Sequence, residues 1–132
     1  MQMIAHGIDL VDCKRIEAIL TRHGDHFLAR VYTPAEQQSA GRGRNRTQRL
    51  AARFAAKEAV LKLIGTGLRG RMAFTEVEVV NDALGKPEVR VFGEVRRRVQ
   101  AMGIEQISIS ITHVADLAIA SVVALTNAHE DK

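Results

Sequence analysis

The sequence lacks several features by which common classes of protein are identified. Its single cysteine among 132 residues excludes an intrachain disulfide and a cysteine-rich zinc site, and such usage is typical of the reducing cytoplasm. No stretch resembles a secretory signal, and no apolar run is long enough for a membrane helix. A Walker A loop, a dinucleotide-binding glycine pattern and the spacing of a nucleophilic triad are also missing. We therefore expect a cytoplasmic protein without a membrane partner.

Large aromatic side chains are scarce as well. Trp is absent and aromatic residues make up only 4% of the chain, although the hydrophobic fraction is 46%. The core must therefore consist mainly of Val, Ile, Leu and Ala, and a small domain with such a core can gain stability from oligomerisation. The net charge of +4 favours an acidic partner, such as nucleic acid, anionic lipid, a phosphorylated ligand or an acidic protein.

The succession of apolar segments and turns predicts one small α+β domain without an internal repeat or a linker. We expect this domain to span residues 1–126, followed by a frayed tail at residues 127–132. The first strand, residues 4–11, is apolar almost throughout, which predicts a central strand. The longest helix is predicted at residues 47–64, where alanines let neighbouring elements approach closely. The other predicted strands and helices cover residues 14–22, 74–80, 89–91, 93–102, 106–112 and 117–125.

Two local patterns make sharper structural predictions. Thr33, Pro34 and Glu36 are typical of a helix start, with Thr33 as the N-cap, Pro34 in the first helical position and Glu36 completing a capping box. In residues 74–80 the side chains alternate, so that Phe74, Glu76 and Glu78 share one face. This alternation predicts a strand with one face in water.

Two carboxylates lie where a charge is unexpected. Asp9 lies in the apolar run of residues 7–11, where a carboxylate is costly unless something pairs with it. Glu58 lies in the alanine-rich helix, with Lys62 one turn later. Mg²⁺ typically takes one or two protein carboxylates and fills its other positions with water and phosphate oxygens. Asp9 and Glu58 meet that count, and Lys62 could neutralise a phosphate, so the pattern indicates phosphoryl-group chemistry.

Simpler interpretations stay open for each of these residues. Glu58 and Lys62 could form only an exposed salt bridge between positions i and i+4 of a helix, and Asp9 could be a turn residue or a helix cap. His113, at a strand end, is either a hydrogen-bonded structural residue or a group that contacts phosphate or carries a proton. Residues 85–87 form an ordinary hairpin turn by default. A solvated basic face or a landing site for an acidic partner would account for the arginines at positions 42, 44, 46, 49 and 53.

Several segments together resemble one family. They run in the family's order across nearly the whole chain, and the combination is specific although no single segment is. The family is the short, trimeric type of 4'-phosphopantetheinyl transferase, the holo-[acyl-carrier-protein] synthases. Four segments match well: residues 7–11; residues 30–36; residues 53–59 together with Lys62 and residues 65–67; and residues 108–113 together with Ala118 and Ala120. A fifth segment, residues 81–87, matches more weakly.

The resemblance implies a fold and a reaction. The fold would be a mainly antiparallel sheet packed against one long helix and shorter helices. The enzyme would move the 4'-phosphopantetheine arm of coenzyme A onto a serine of an apo acyl carrier protein, releasing 3',5'-ADP, as part of fatty acid biosynthesis. Catalysis of this kind depends on positioning the reactants and neutralising their charge more than on covalent catalysis by the protein.

The resemblance also implies roles for individual residues. Asp9 and Glu58 would bind Mg²⁺, or Mn²⁺ in its place, and hold the pyrophosphate of coenzyme A, with Lys62 as a phosphate contact. Glu58 or a metal-bound water would take the serine proton. Arg53 and His113 would lie near the 3'-phosphate. The adenine would lie near Gly85, Lys86 and Pro87.

Partner surfaces follow from the same resemblance. The helix at residues 14–22 would dock the acidic carrier protein through Arg15 and Arg22, and Arg42 and Arg44 in the following basic loop would extend this surface. The family forms trimers with active sites between subunits, so a homotrimer is expected.

Two other functions compete with this one. A small nucleic-acid-binding protein would explain the basic charge, but the chain has few aromatic residues for base stacking and no recognisable binding motif. That rival also leaves Asp9 and Glu58 unexplained. The second rival is a subunit that binds coenzyme A without catalysis.

Overall fold

The computed structural model describes residues 2–68, 70 and 72–127. These residues form four helices and five strands in a small α+β domain with antiparallel sheets, as predicted. The elements are β1 (Gln2–Asp12), α1 (Cys13–Val31), α2 (Pro34–Ala40), α3 (Arg46–Leu63), β2 (Val77–Asn81), β3 (Pro87–Val91), α4 (Gly93–Ala101), β4 (Ile107–Val114) and β5 (Leu117–Asn127). Asn127, predicted to begin the tail, is the last residue of β5, and the rest of the predicted tail, residues 128–132, lies outside the described residues.

The main sheet has three antiparallel strands in the order β1-β5-β4. The prediction that β1 is central is therefore wrong, because β5 is the central strand and β1 lies at an edge. One face of β1, which includes Gly7 and Val11, is buried, whereas Ile4, Ile8 and Leu10 on the other face are 68%, 58% and 55% exposed. The run is apolar on both faces, which led to the prediction, but only one face is covered by this chain.

Helix α3 packs on the buried face of the sheet. Ala55 and Ala59 are fully buried, so the helix can lie very close to the strands. Closest of all is Gly7 of β1, where an added Cβ would overlap the Ala59 carbonyl oxygen. This close approach, which requires glycine, sets how β1 and α3 are placed against each other.

Two helices differ from expectation in length. α1 covers 19 residues, but Gly24 has a φ of 35° and interrupts it, so α3 with 18 residues is the longest unbroken helix among those described, as predicted. The predicted helix at residues 14–22 is the first half of α1. Among the described residues, no helix combines the length and the apolar character needed to cross a membrane.

The predicted helix start at Thr33 is confirmed. The strand predicted at residues 74–80 is found as β2, Val77–Asn81, but the prediction that one of its faces lies in water is wrong. Thr33 caps α2, and Glu36 completes the capping box by accepting a hydrogen bond from Thr33 N at 2.9 Å. Residues Phe74–Glu76 form a short 3₁₀ turn before β2, and Glu78 is buried. The Thr33 hydroxyl donates to Glu78 Oε2 at 2.6 Å. Thr33, the N-cap of α2, therefore covers Glu78 on the face that was expected to be in water.

Candidate active site

The contact between β1 and α3 brings together the three residues predicted to be catalytic. Lys62 Nζ of α3 lies 3.0 Å from Asp9 Oδ1 of β1 and donates a second hydrogen bond to the Ile8 carbonyl oxygen, also at 3.0 Å. Within the described residues, the Lys62 ammonium thus pairs with Asp9, and no ion pair joins it to Glu58. The simple helix salt bridge considered for the sequence is not formed.

Glu58 lies on the same side of α3, close enough to Asp9 for their charges to interact. Burial raises the pKa of Glu58, and the Asp9 carboxylate raises it further, whereas Lys62 and Arg15 act in the opposite direction. Two carboxylates that repel each other in a partly buried position are stabilised by a shared cation. Asp9 and Glu58, here called the carboxylate cluster, are therefore two hard oxygen donors close enough for their charges to interact.

The donors of this cluster fit Mg²⁺. The described residues contain no group of three or more His, Cys, Asp or Glu side chains that could hold a metal ion. A cage built from protein ligands alone is thus not found in the described part of the chain. Mg²⁺ suits the cluster because it keeps several waters and takes phosphate oxygens in addition to one or two carboxylates.

A second cluster surrounds a cavity of about 270 Å³ between α3, β2 and β4. Arg53, His113 and Pro87 all contribute to its wall, as does Arg49. The Arg53 guanidinium is buried and donates to Val79 O at 3.2 Å, to Arg49 O at 3.2 Å and to Ser39 Oγ at 2.6 Å. His113 Nε2 lies 3.4 Å from the Gln48 carbonyl oxygen. The cavity therefore presents positive charge next to an imidazole.

The turn between β2 and β3 lies beside this cavity. Asp82 Oδ1 accepts hydrogen bonds from Leu84 N at 2.8 Å and from Lys86 N at 2.9 Å, which fixes the turn. Pro87 reaches the cavity with Arg53 and His113, whereas Lys86 lines a neighbouring cavity with Asp82. Gly85 lies in the turn itself, with a φ of 86°. The structure thus unites Pro87, but neither Gly85 nor Lys86, with the arginine cavity.

The two clusters lie at opposite edges of the main sheet. Asp9 on β1 is opposite Ala120 on β5, which is opposite Ile111 on β4, and His113 follows two residues later. Two strand spacings amount to roughly 10 Å. Within one chain, the carboxylate cluster and the arginine cavity are therefore separate sites on either side of α3.

The four arginines predicted to dock a partner are all exposed. Arg15 of α1 lies near the carboxylate cluster, since its charge lowers the pKa of Glu58. Arg44 shares a cavity of about 270 Å³ with Lys14 at the start of α1. Arg42 lines a different cavity, of about 540 Å³, beside α2. Arg22 lies on α1 just before the break at Gly24.

One pair of charged residues was missed in the sequence. Lys57 and Glu36 are fully buried and form an ion pair with Nζ and Oε1 2.6 Å apart. The sequence did indicate that Lys57 is buried, because this residue lies among alanines on a helix predicted to pack on several sides. Glu36, however, was already explained as part of the capping box, so nothing suggested a second partner for it.

Comparison with known proteins gives a consistent result. The model of the 4'-phosphopantetheinyl transferase superfamily matches residues 5–120. A holo-[acyl-carrier-protein] synthase of Chloroflexus aurantiacus is 44% identical over 134 aligned positions, covering 92% of this chain and 98% of the relative.

Solved structures agree with the sequence relatives. The holo-[acyl-carrier-protein] synthase of Neisseria meningitidis superimposes with a TM-score of 0.83 at 37% identity, covering 92% of this chain and 98% of that one. The Helicobacter pylori synthase, solved with coenzyme A, has a TM-score of 0.80 at 30% identity, with 92% and 99% covered. This chain therefore belongs to the 4'-phosphopantetheinyl transferase superfamily and, within it, to the holo-[acyl-carrier-protein] synthases.

Proposed function

We propose that the protein transfers 4'-phosphopantetheine from coenzyme A to a serine of an apo acyl carrier protein and requires Mg²⁺ to do so. The observation that carries this proposal is the cluster of Asp9, Glu58 and Lys62 between β1 and α3. A relative with 30% identity has been solved in complex with coenzyme A, which supports coenzyme A as the donor. We further propose a cytoplasmic enzyme of fatty acid biosynthesis, and the buried free thiol of Cys13 suits a reducing compartment.

The residues of the cluster have complementary tasks in this reaction. Asp9 and Glu58 would hold Mg²⁺, or Mn²⁺, and the bound ion would neutralise charge on the pyrophosphate and on the departing 3',5'-ADP. Lys62, already oriented by Asp9 and the Ile8 carbonyl, adds a positive charge beside the phosphates. Glu58, or a water beside the cluster, would take the proton of the serine hydroxyl. The serine oxygen forms a bond to the phosphorus of the phosphopantetheine group as the bond to 3',5'-ADP breaks.

The arginine cavity would receive the other end of coenzyme A. Arg53 has five N–H donors, three of which bond to the protein, and two remain for a 3'-phosphate. His113 lies in the same wall, and Pro87 offers an apolar surface for adenine beside Gly85 and Lys86. The acidic carrier protein would dock on α1 through Arg15 and Arg22, with Arg44 next to the start of that helix and Arg42 beyond it.

The proposed test is intact-protein mass spectrometry of an apo acyl carrier protein incubated with this protein, coenzyme A and Mg²⁺. We expect the carrier to gain the mass of phosphopantetheine, 3',5'-ADP to appear in equal amount, and EDTA to prevent both. EDTA should act because two carboxylates alone cannot neutralise the pyrophosphate. Well-folded protein that modifies none of several apo carriers would contradict the proposal.

We also propose a homotrimer, which would place the carboxylate cluster of one chain near the arginine cavity of another. The support is the exposed apolar face of the main sheet, since contiguous apolar patches on soluble proteins mark contact surfaces. The exposed apolar side chains on this face include Ile4, Ile8, Leu10, Val114, Val123 and Leu125.

Light scattering during size-exclusion chromatography tests the trimer. We expect three times the chain mass of 14.5 kDa for the wild type and a smaller species for Leu125→Lys, because a buried lysine without a partner is costly at an interface. Leu84→Lys is the matched control: Leu84 is 95% exposed but lies in the turn between β2 and β3 and not on the apolar face. A wild type that is monomeric at micromolar concentration, or a trimeric Leu125→Lys variant, would count against this assembly.

A further inference from the structure

We propose that Lys57, through its ion pair with Glu36, is a positioning residue that fixes the rotation of α3 and so directs Glu58 towards Asp9. The inference rests on the proposed function, because it assigns a role in assembling the carboxylate cluster. Lys57 does not reach that cluster itself. It lies on the side of α3 that faces α2 and β2, and it is fully buried there.

All the hydrogen-bonding capacity of the Lys57 ammonium is used. Its three N–H groups have three acceptors, namely Glu36 Oε1 at 2.6 Å, the Phe74 carbonyl oxygen at 2.9 Å and the Val77 carbonyl oxygen. A saturated, buried ammonium allows little movement of the helix that carries it, because any shift leaves a charged donor without a partner.

Glu36 is held as firmly as Lys57. Its Oε1 accepts from Thr33 N at 2.9 Å, and its Oε2 accepts from Val79 N at 2.8 Å. A single ion pair therefore connects the start of α2, the middle of α3, the 3₁₀ turn and β2. Replacing a buried ion pair with apolar residues is often neutral for stability, so stability alone does not account for this arrangement.

Lys57 and Glu58 are successive residues of one helix, so their side chains point about 100° apart around its axis. The direction of Glu58 is thus set once Lys57 is fixed. On the opposite side of the helix, Gly7 of β1 packs against the Ala59 carbonyl. The segment 57–59 is therefore clamped from both sides, and Glu58 lies between these two contacts, close enough to Asp9 for their charges to interact.

The test removes the ion pair without leaving a buried charge, by combining Glu36→Leu with Lys57→Met. We expect this variant to fold, with kcat lowered by about 10- to 100-fold and Mn²⁺ binding, titrated without substrates, weakened by about 10- to 100-fold. Tyr32→Phe is the control. It removes a buried hydrogen bond to Leu50 O at 2.8 Å close to Lys57 and should change neither kcat nor Mn²⁺ affinity.

A folded double variant with wild-type kcat and Mn²⁺ affinity would overturn the positioning role. If the double variant does not fold, Glu36→Gln provides the second measurement, because it keeps the shape of Glu36 but removes its negative charge, which leaves the Lys57 ammonium without a counter-ion. Glu36→Gln with unchanged Mn²⁺ affinity would likewise overturn the role. Wild-type protein that neither transfers phosphopantetheine nor binds Mn²⁺ would instead overturn the proposed function, so the two failures can be told apart.

Discussion

Replacing Glu58 with Gln is expected to lower the rate of phosphopantetheine transfer by on the order of 100- to 1,000-fold, the usual loss when a group that acts on the transition state is removed. Gln has nearly the same shape but no charge, so it can neither hold Mg²⁺ as a carboxylate does nor take the serine proton. The fold should remain intact. Initial rates measured by mass spectrometry with apo carrier protein test this expectation.

Although Glu58→Gln is expected to lose activity, it should not lose stability. Burial and the Asp9 carboxylate raise the pKa of Glu58, so its ionised form is less favourable in the folded than in the unfolded chain at neutral pH. Gln removes that cost. In EDTA, the midpoint of thermal unfolding should therefore equal or exceed that of the wild type. Mg²⁺ should raise the midpoint of the wild type but not that of the variant.

Glu105→Gln is the matched control for this prediction. Glu105 is an exposed acid at the far end of the main sheet, close to Asn127. Its replacement removes the same charge and should leave both transfer and the Mg²⁺-induced stabilisation unchanged. Glu58→Gln with near wild-type transfer would show that the base and the metal ligand lie elsewhere.

Gly7→Ala is expected to have the second-largest effect, although it adds only a single methyl group. The new Cβ would overlap the Ala59 carbonyl oxygen and lie 3.0 Å from Leu63 N. Both are backbone atoms of α3, which cannot turn aside as a flexible side chain can. β1 must therefore move away from the helix, at a cost of about 1–3 kcal/mol in folding free energy.

The displacement carries Asp9 with it, two residues further along β1. A shift of about 1 Å in a reacting geometry can lower a rate about 100-fold. We therefore expect kcat to fall by about that factor at temperatures where the variant is fully folded. Circular dichroism establishes the folded fraction, and the mass assay measures the rate.

Gly103→Ala separates displacement of Asp9 from a general loss of stability. A Cβ at Gly103 would overlap the Asn127 carbonyl oxygen, so this variant is also overpacked. Its strain lies at the other end of the sheet, where Asn127 pairs with Gln2. It should lower the unfolding temperature and leave kcat unchanged. Equal effects of the two variants on kcat would refute the special role of Gly7.

The local parts of the site could be predicted from the sequence. The apolar setting of Asp9 and the spacing of Glu58 and Lys62 were enough to select these residues, and the capping box at Thr33 was recognised from its pattern. Family motifs then supplied the reaction. The pairing of Lys62 with Asp9, 53 residues away in the chain, could not be predicted, because it depends on which strand docks on α3.

The wrong predictions have a common physical cause. β1 is apolar on both faces, and Glu78 alternates with valines, but neither pattern reveals what covers each face. In β1 nothing within the described chain covers Ile4 and Ile8, and in β2 the capping residue Thr33 covers Glu78. Periodicity gives the faces of an element, whereas their neighbours are decided by tertiary contacts.

The pairing of the first and last described strands has a consequence for biosynthesis. Gln2 lies opposite Asn127 and Asp12 opposite Leu117, and in the described sheet β1 has no hydrogen-bonding neighbour other than β5. On the ribosome, β1 emerges early and β5 late. During most of translation, β1, the strand that carries Asp9, therefore has no β5 to pair with. A nascent chain can complete its carboxylate cluster, and begin to modify carrier proteins, only after residues 117–127 have left the exit tunnel.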